Sequence, residues 1–302
     1  MRIRPALHDE PRAMPRNFPH VALGALSLLL AGNAAAQTHL LVPADLPLRA
    51  QAAAGLREAL AAHADLPTTV ALAAIAGVPL PAGCSARQRL DGSLRDANLA
   101  GDPMRADATL RADLGELIET LAFQPRREAP LPDGFPDFAA VDELELRHYP
   151  AYAMARTEMK AGGANGAFWP LFQHIQSNDI AMTAPVQMDW LPKGNDGDRP
   201  LRMAFLYGDP KTRPARVADG VEVVQVPAAT VLSLGAIGDD RRDRVEEMRH
   251  RLLAWLAANP QWVVAGPLRT MGYNSPMVSR DRRYFEVQLP VHDATAARAV
   301  TR

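Results

Sequence analysis

The side chains able to do chemistry are few and scattered along this 302-residue chain. Cys84 is the one cysteine, so no intrachain disulfide can form and a CxxCH attachment is excluded. No HExxH or Cys/His spacing offers a metal site, and no GxSxG elbow, Walker loop or Rossmann glycine pattern occurs. Asp239, Asp240, Glu246 and Glu247 read as a helix start and its solvated face, with Glu246 and His250 spaced as an exposed i, i+4 pair. They are poor candidates for acid-base work. These absences favour a binding protein over an enzyme. What remains is a helical aromatic pair, Trp169 and Phe172, and two histidines placed beside apolar positions, His148 and His174.

Two strand-and-helix stretches must position these residues. Leu144 to Ala151 alternates as a strand, and Val221 to Ala228 repeats the pattern 77 residues later without a gap. Pro150 and Pro227 stand where each ladder would be interrupted. After the first strand, Phe168, Leu171, Phe172 and Ile175 form a helical stripe, flanked by His174, with Pro170 early enough to be tolerated. After the second, Val245, Met248, Leu252, Trp255 and Leu256 do the same until Asn259-Pro260. Each helix precedes two strand candidates, Met182 to Trp190 and Leu201 to Tyr207, then Trp262 to Asn274 and Arg283 to Val291. The predicted fold is α+β: a distorted antiparallel β-barrel of two β-α-β-β repeats with two packed helices.

Residues 37–124 are Ala-rich and read as mainly helical, with Leu56 and Leu60 on one helix (Arg49 to His63) and Leu110, Leu114, Leu117, Ile118 and Leu121 on another. Pro125, Pro130, Pro132, Gly134 and Pro136 make 125–142 an expected Pro-rich linker and domain boundary. Residues 143–291 form the second domain, and 292–302 a C-terminal tail. At the other end, Arg12 and Arg16 precede the apolar run Val21 to Ala31, which the small residues Ala34 to Ala36 follow. This is a secretory signal pattern over 1–36, with the start at either Met1 or Met14 and cleavage near Ala36. Asn33 stands where a lipidated Cys would be needed. The mature chain is then expected in the periplasm or secreted, without a membrane span. Lys+Arg 33 against Asp+Glu 34 gives a net charge of -1, so no field recruits nucleic acid.

Ile180-Ala181-Met182-Thr183-Ala184-Pro185-Val186-Gln187-Met188, Gly272-Tyr273-Asn274-Ser275-Pro276-Met277 and Arg282-Arg283-Tyr284-Phe285-Glu286-Val287 resemble the SOUL haem-binding family. Leu144-Glu145-Leu146-Arg147-His148-Tyr149 resembles its opening strand, so the likeness covers about residues 143–291. It implies the same barrel, with haem or a related tetrapyrrole bound non-covalently and without catalysis. The alternatives are a module for another small apolar ligand and, less favoured, an enzyme.

A haem needs an apolar slot, cationic donors for two propionates and optionally an axial His or Met. His148 falls at the position where the family has offered an axial ligand, and period-2 alternation puts it with Leu144 and Leu146. His148 is therefore the expected iron ligand, with His174 as a second candidate and Met182 after it. The helix from Asn165 to Gln176 lacks the Lys or Arg that the family would offer to propionates, which leaves Arg147, Arg156 and Arg283 as substitutes. Trp169, Phe172 and Tyr273 are expected to wall the slot.

Overall fold

The structure, a computed structural model, describes residues 39–64, 68–159, 163–192 and 198–295. The expected signal peptide and the end of the C-terminal tail lie outside the described residues. Among the described residues no helix is long and apolar enough to cross a membrane.

The first region is helical, as its Ala-rich sequence predicts: α1 (Leu46–Ala62), α2 (Leu72–Ala76), α3 (Ser85–Leu99) and α4 (Pro103–Ala122). Asp102 caps α4, its carboxylate accepting from the backbone N–H groups of Met104 and Arg105, and Pro103 follows where no donor is needed. The buried residues of α4 are Leu110, Leu114, Leu117, Ile118 and Leu121, the stripe expected from the spacing. They pack with Leu56, Ile75 and Leu90 in a core of their own.

The second region is a curled antiparallel sheet carrying two helices. Its elements are β1 (Leu144–Tyr149), β2 (Tyr152–Glu158), α5 (Gly163–Ser177), β3 (Val186–Pro192) and β4 (Asp198–Leu206), then β5 (Glu222–Val226), β6 (Ala229–Ile237), α6 (Arg242–Ala258), β7 (Trp262–Val264), β8 (Leu268–Gly272) and β9 (Tyr284–Asp293). The strand order is β1-β6-β9-β8-β3-β4-β2-β5, with β7 added on β9. Exchanging the two halves, β1 for β5, β2 for β6, β3 for β8 and β4 for β9, returns the same path. Leaving aside the short β7, each half is β-β-α-β-β, with a strand, β2 or β6, that the sequence reading lacks. Pro150 and Pro227 end one strand just before the next begins, and β2 went unread because Ala153 and Ala155 weaken its strand signature.

The two faces of the sheet differ. On the outer face, Leu144, Leu232, Leu234, Phe285, Val287 and Leu289 pack under the apolar stripe of α6. Ala153, Ala155, Met203 and Phe205 pack under Ala167, Leu171 and Ile175 of α5. The inner face carries Tyr149, Gln187, Asp189, Ser233, Arg269, Glu286 and Gln288, all buried.

Residues 125–142, expected as an isolating linker, instead fill the inner face. Phe135 packs edge-on against Tyr149 and Tyr152 (centroids 4.9 and 5.2 Å), and Phe138 against Tyr273 and Tyr284 (5.0 and 5.5 Å). Backbone bonds run from Asp133 N to the Gly208 carbonyl and from Ala184 N to the Pro130 carbonyl. The prolines keep the segment extended, while its aromatic residues anchor it. Gly235 admits it: a Cβ there would lie 2.6 Å from the Tyr284 hydroxyl and 3.0 Å from the Ala139 carbonyl oxygen. The helical region docks just beyond. Buried Glu143 accepts from Arg49 (2.7 Å) and from the backbone N–H groups of Ser85 and Ala86 at the start of α3.

Candidate functional site

Where α5 and the start of α6 diverge over the centre of the sheet, they leave a cleft of about 660 Å³. Such a volume lies within the usual range for small-molecule sites. Phe168 and Trp169 of α5 form one wall, and Gly238, Asp239 and Asp240, before α6, the other. Strand alternation supplies the floor, since Val186 and Met188 of β3, Met203 of β4 and Phe285 of β9 point to this side. Met182 to Ala184 and Tyr273 to Pro276 make the rim, with Glu128, Arg283 and Tyr284. The Ala184-Pro185 peptide is cis at this edge.

Phe168 stacks on Phe172 (5.7 Å, 16°) and meets Trp169 edge-on (5.7 Å, 89°), so the aromatic wall is held from behind. Trp169 itself is 60% exposed. The charged groups are held differently. Arg283 donates to Asp239 Oδ1 (2.6 Å) and to the carbonyls of Val278 and Pro276, which occupies all three of its nitrogens. Glu128 accepts from Ser275 N and Oγ, and the backbone bond holds its carboxyl below the usual range despite partial desolvation. Asp240 accepts from Thr270 Oγ1 at 2.8 Å, and burial, followed by repulsion from Asp239, raises its carboxyl.

Tyr273 and Tyr284 turn their hydroxyls away from the cleft. Both lie 3.1 Å from Oε1 of the fully buried Glu286, which also accepts from Ala139 N, Ser233 Oγ, Tyr149 OH and Gln288 Nε2. The Tyr284 hydroxyl is also 2.6 Å from the Ala139 carbonyl, and its one proton serves one acceptor at a time. Burial first, then the neighbouring Glu286, raises both phenols well above their ordinary value, so they stay protonated. From Gln288 the network runs on through Arg269, Tyr152 and Gln187 to Asp189.

Of the nine residues singled out in the sequence as wall, iron-ligand or propionate candidates, the cleft brings together four, Trp169, Tyr273, Met182 and Arg283. Arg156 does not line it and pairs with Glu222 at 2.8 Å. Phe172 supports the wall without lining it. His174 is fully buried under α5, its Nε2 2.8 Å from the Tyr207 hydroxyl, and burial lowers its pKa. Arg147 is buried on the inner face, bonded to Glu145 at 2.8 Å, with the sheet between it and the cleft. His148 does share a face with Leu144 and Leu146, but on terminal strand β1, with β6 and β9 between it and β8. It is exposed, its Nδ1 3.0 Å from Thr230 Oγ1. Among the described residues no histidine or cysteine lines the cleft; the soft donors there are Met182, Met188 and Met203. Among the described residues no cluster of His, Cys, Asp or Glu could hold a metal ion.

Asp239 and Asp240, read as part of a solvated helix start, line the cleft instead, because β6 ends beside it. Phe285 could be found from its alternation with Tyr284 and Glu286; Glu128 could not, since it comes from the segment read as a linker.

Residues 136–290 match the family described as SOUL heme-binding protein. No curated protein sequence matches the chain. Among solved structures, the EcmrR C-terminal domain is 12% identical over 50% of this chain and 98% of that chain, with a TM-score of 0.41. A hydrolase from Listeria innocua is 11% identical over 51% and 94%, with a TM-score of 0.38. A putative transcription regulation protein from Staphylococcus aureus MU50 is 15% identical over 49% and 97%, with a TM-score of 0.30.

Proposed function

Because this chain belongs to the SOUL heme-binding protein family, we propose that it binds haem or a related tetrapyrrole, without covalent attachment, in the cleft between α5 and the start of α6. The observation that carries this reading is the cleft itself. It is an apolar cavity of about 660 Å³ with an aromatic wall, lined by residues of all three quoted motifs: Met182 to Met188, Gly272 to Pro276, and Arg283 to Phe285. The walls suit the faces of a macrocycle. Haem would supply a redox-active iron, for which Met182, Met188 and Met203 are the available soft donors.

Apolar contact is enough for useful affinity. Micromolar binding needs about -8.2 kcal/mol. At about 25 cal/mol per Å² this corresponds to about 330 Å² of apolar burial before association costs. The role proposed is that of a carrier, buffer or scavenger in the periplasm, or of a secreted protein, after cleavage near Ala36. The exchange symmetry of the sheet path and the 77-residue sequence match support an internal duplication, with the cleft where the halves meet. The domains proposed are the helical region and a sheet domain that includes 125–142.

Titration of hemin into the purified chain tests the reading. A saturable Soret shift at one equivalent is expected, weakened about tenfold in Trp169→Ala. No shift, or one unaffected by both Trp169→Ala and Phe168→Ala, would remove the ligand from this cleft.

A further inference from the structure

Among the described residues, the cleft holds one charged group that no cation balances. Asp239 is paired with Arg283 and with Arg280, and Glu128 is served by Ser275. Asp240 has no Lys or Arg in reach among the described residues, and its charged neighbour is Asp239. Its partners are the Thr270 hydroxyl and its own backbone N–H. A carboxylate offers about four acceptor sites, so Asp240 retains acceptor capacity beside apolar walls.

Its orientation is built from the core outward. Trp190, buried beneath the sheet's outer face, donates its indole N–H to Thr270 Oγ1 at 3.3 Å. That contact occupies the oxygen as an acceptor and leaves the single hydroxyl proton of fully buried Thr270 for Asp240 Oδ2. The chain Trp190–Thr270–Asp240 therefore fixes a carboxylate at the cleft wall.

An N–H donor on a flat apolar ligand complements such a group. In a tetrapyrrole those donors are the pyrrole N–H groups, which iron replaces on insertion. We propose that Asp240 is a specificity residue of the cleft, accepting hydrogen bonds from the pyrrole N–H groups of a metal-free tetrapyrrole, cyclic or open-chain, in preference to its iron complex. The proposal rests on the tetrapyrrole reading above and names the ligand class within it. A hydrogen bond to a charged acceptor contributes about one power of ten in affinity.

Hemin and protoporphyrin IX share a periphery and differ in the iron against two N–H groups, so the full-length chain is titrated with each. Protoporphyrin is expected to bind about tenfold more tightly. Asp240→Asn should weaken protoporphyrin about tenfold and leave hemin within about twofold, and Thr270→Val should show a smaller loss of the same sense. Equal affinities in the wild type would overturn the selectivity while leaving the tetrapyrrole reading in place. Tighter hemin binding that Asp240→Asn abolishes would make the carboxylate an iron ligand and overturn the proposal. Tetraphenylphosphonium, a cation without N–H, should not displace protoporphyrin; displacement that depends on Asp240 would show that charge alone is read. Binding of neither tetrapyrrole would overturn both readings.

Discussion

The two faces of one sheet make opposite use of their side chains. On β9 alone, Tyr284, Glu286 and Gln288 point inward while Phe285, Val287 and Leu289 point outward. Inward, the buried tyrosines lie under residues 125–142 and the polar side chains join in one network around Glu286, so the residues with the most chemistry hold the scaffold. Outward, the cleft is floored by plain apolar residues and, among the described residues, carries one carboxylate without a cationic partner, Asp240. A buried ionisable group is thus a poor guide to an open cavity here; a gap in helix coverage is a better one.

The largest effect that would break this contrast is removal of the inner filling. A chain beginning at Asp142 loses Phe135, Phe138 and the Ala139 N–H, together with the Arg49 partner of Glu143. It is expected to lose cooperative unfolding in urea, whereas a chain beginning at Phe123 should keep a sigmoidal, though weakened, transition. Equal transitions would show that the filling is dispensable. The next effect is smaller. Glu286→Ala leaves several buried donors without their acceptor and Arg147 with Glu145 as its remaining carboxylate neighbour, and should cost about 3–5 kcal/mol in denaturant titrations. A loss below about 1 kcal/mol would mean that the inner network is not what holds this face. The smallest effect belongs to His148→Ala. Its exposed ring should matter by less than about 0.5 kcal/mol, and the Soret band of bound hemin should not move. A shifted band would bring β1 into the ligand site and undo the separation drawn between sheet edge and cleft.

The fold was legible where burial follows period. The stripes on α4 and α6 were read residue for residue, because one face of each helix is covered and the other is not. Strand β2 was not, since Ala153 and Ala155 weaken its signature and its inward Tyr152 is covered by Phe135, from a segment whose prolines advertise only extension. Tyr273 was legible through the motif that contains it, and Trp169 through its pairing with Phe172 on one helix. Asp240 was not, because the sequence before α6 looks the same whether the preceding strand ends in solvent or beside a cleft. His148 lies apart from the cleft for a related reason: parity assigns a side chain to a face but says nothing of how far along that face a cavity opens.

Glu143 gives the chain an order of events. Ser85 and Ala86 precede the carboxylate that caps their helix by 58 and 57 positions. The helical region is therefore synthesised before the group that completes it, and Arg49 waits longer still, 94 positions ahead of its partner. Until Glu143 arrives, the N–H groups of Ser85 and Ala86 at the start of α3 lack their acceptor and Arg49 lacks its counter-charge. The region that is made first is finished second, and its final form reports that the sheet has begun.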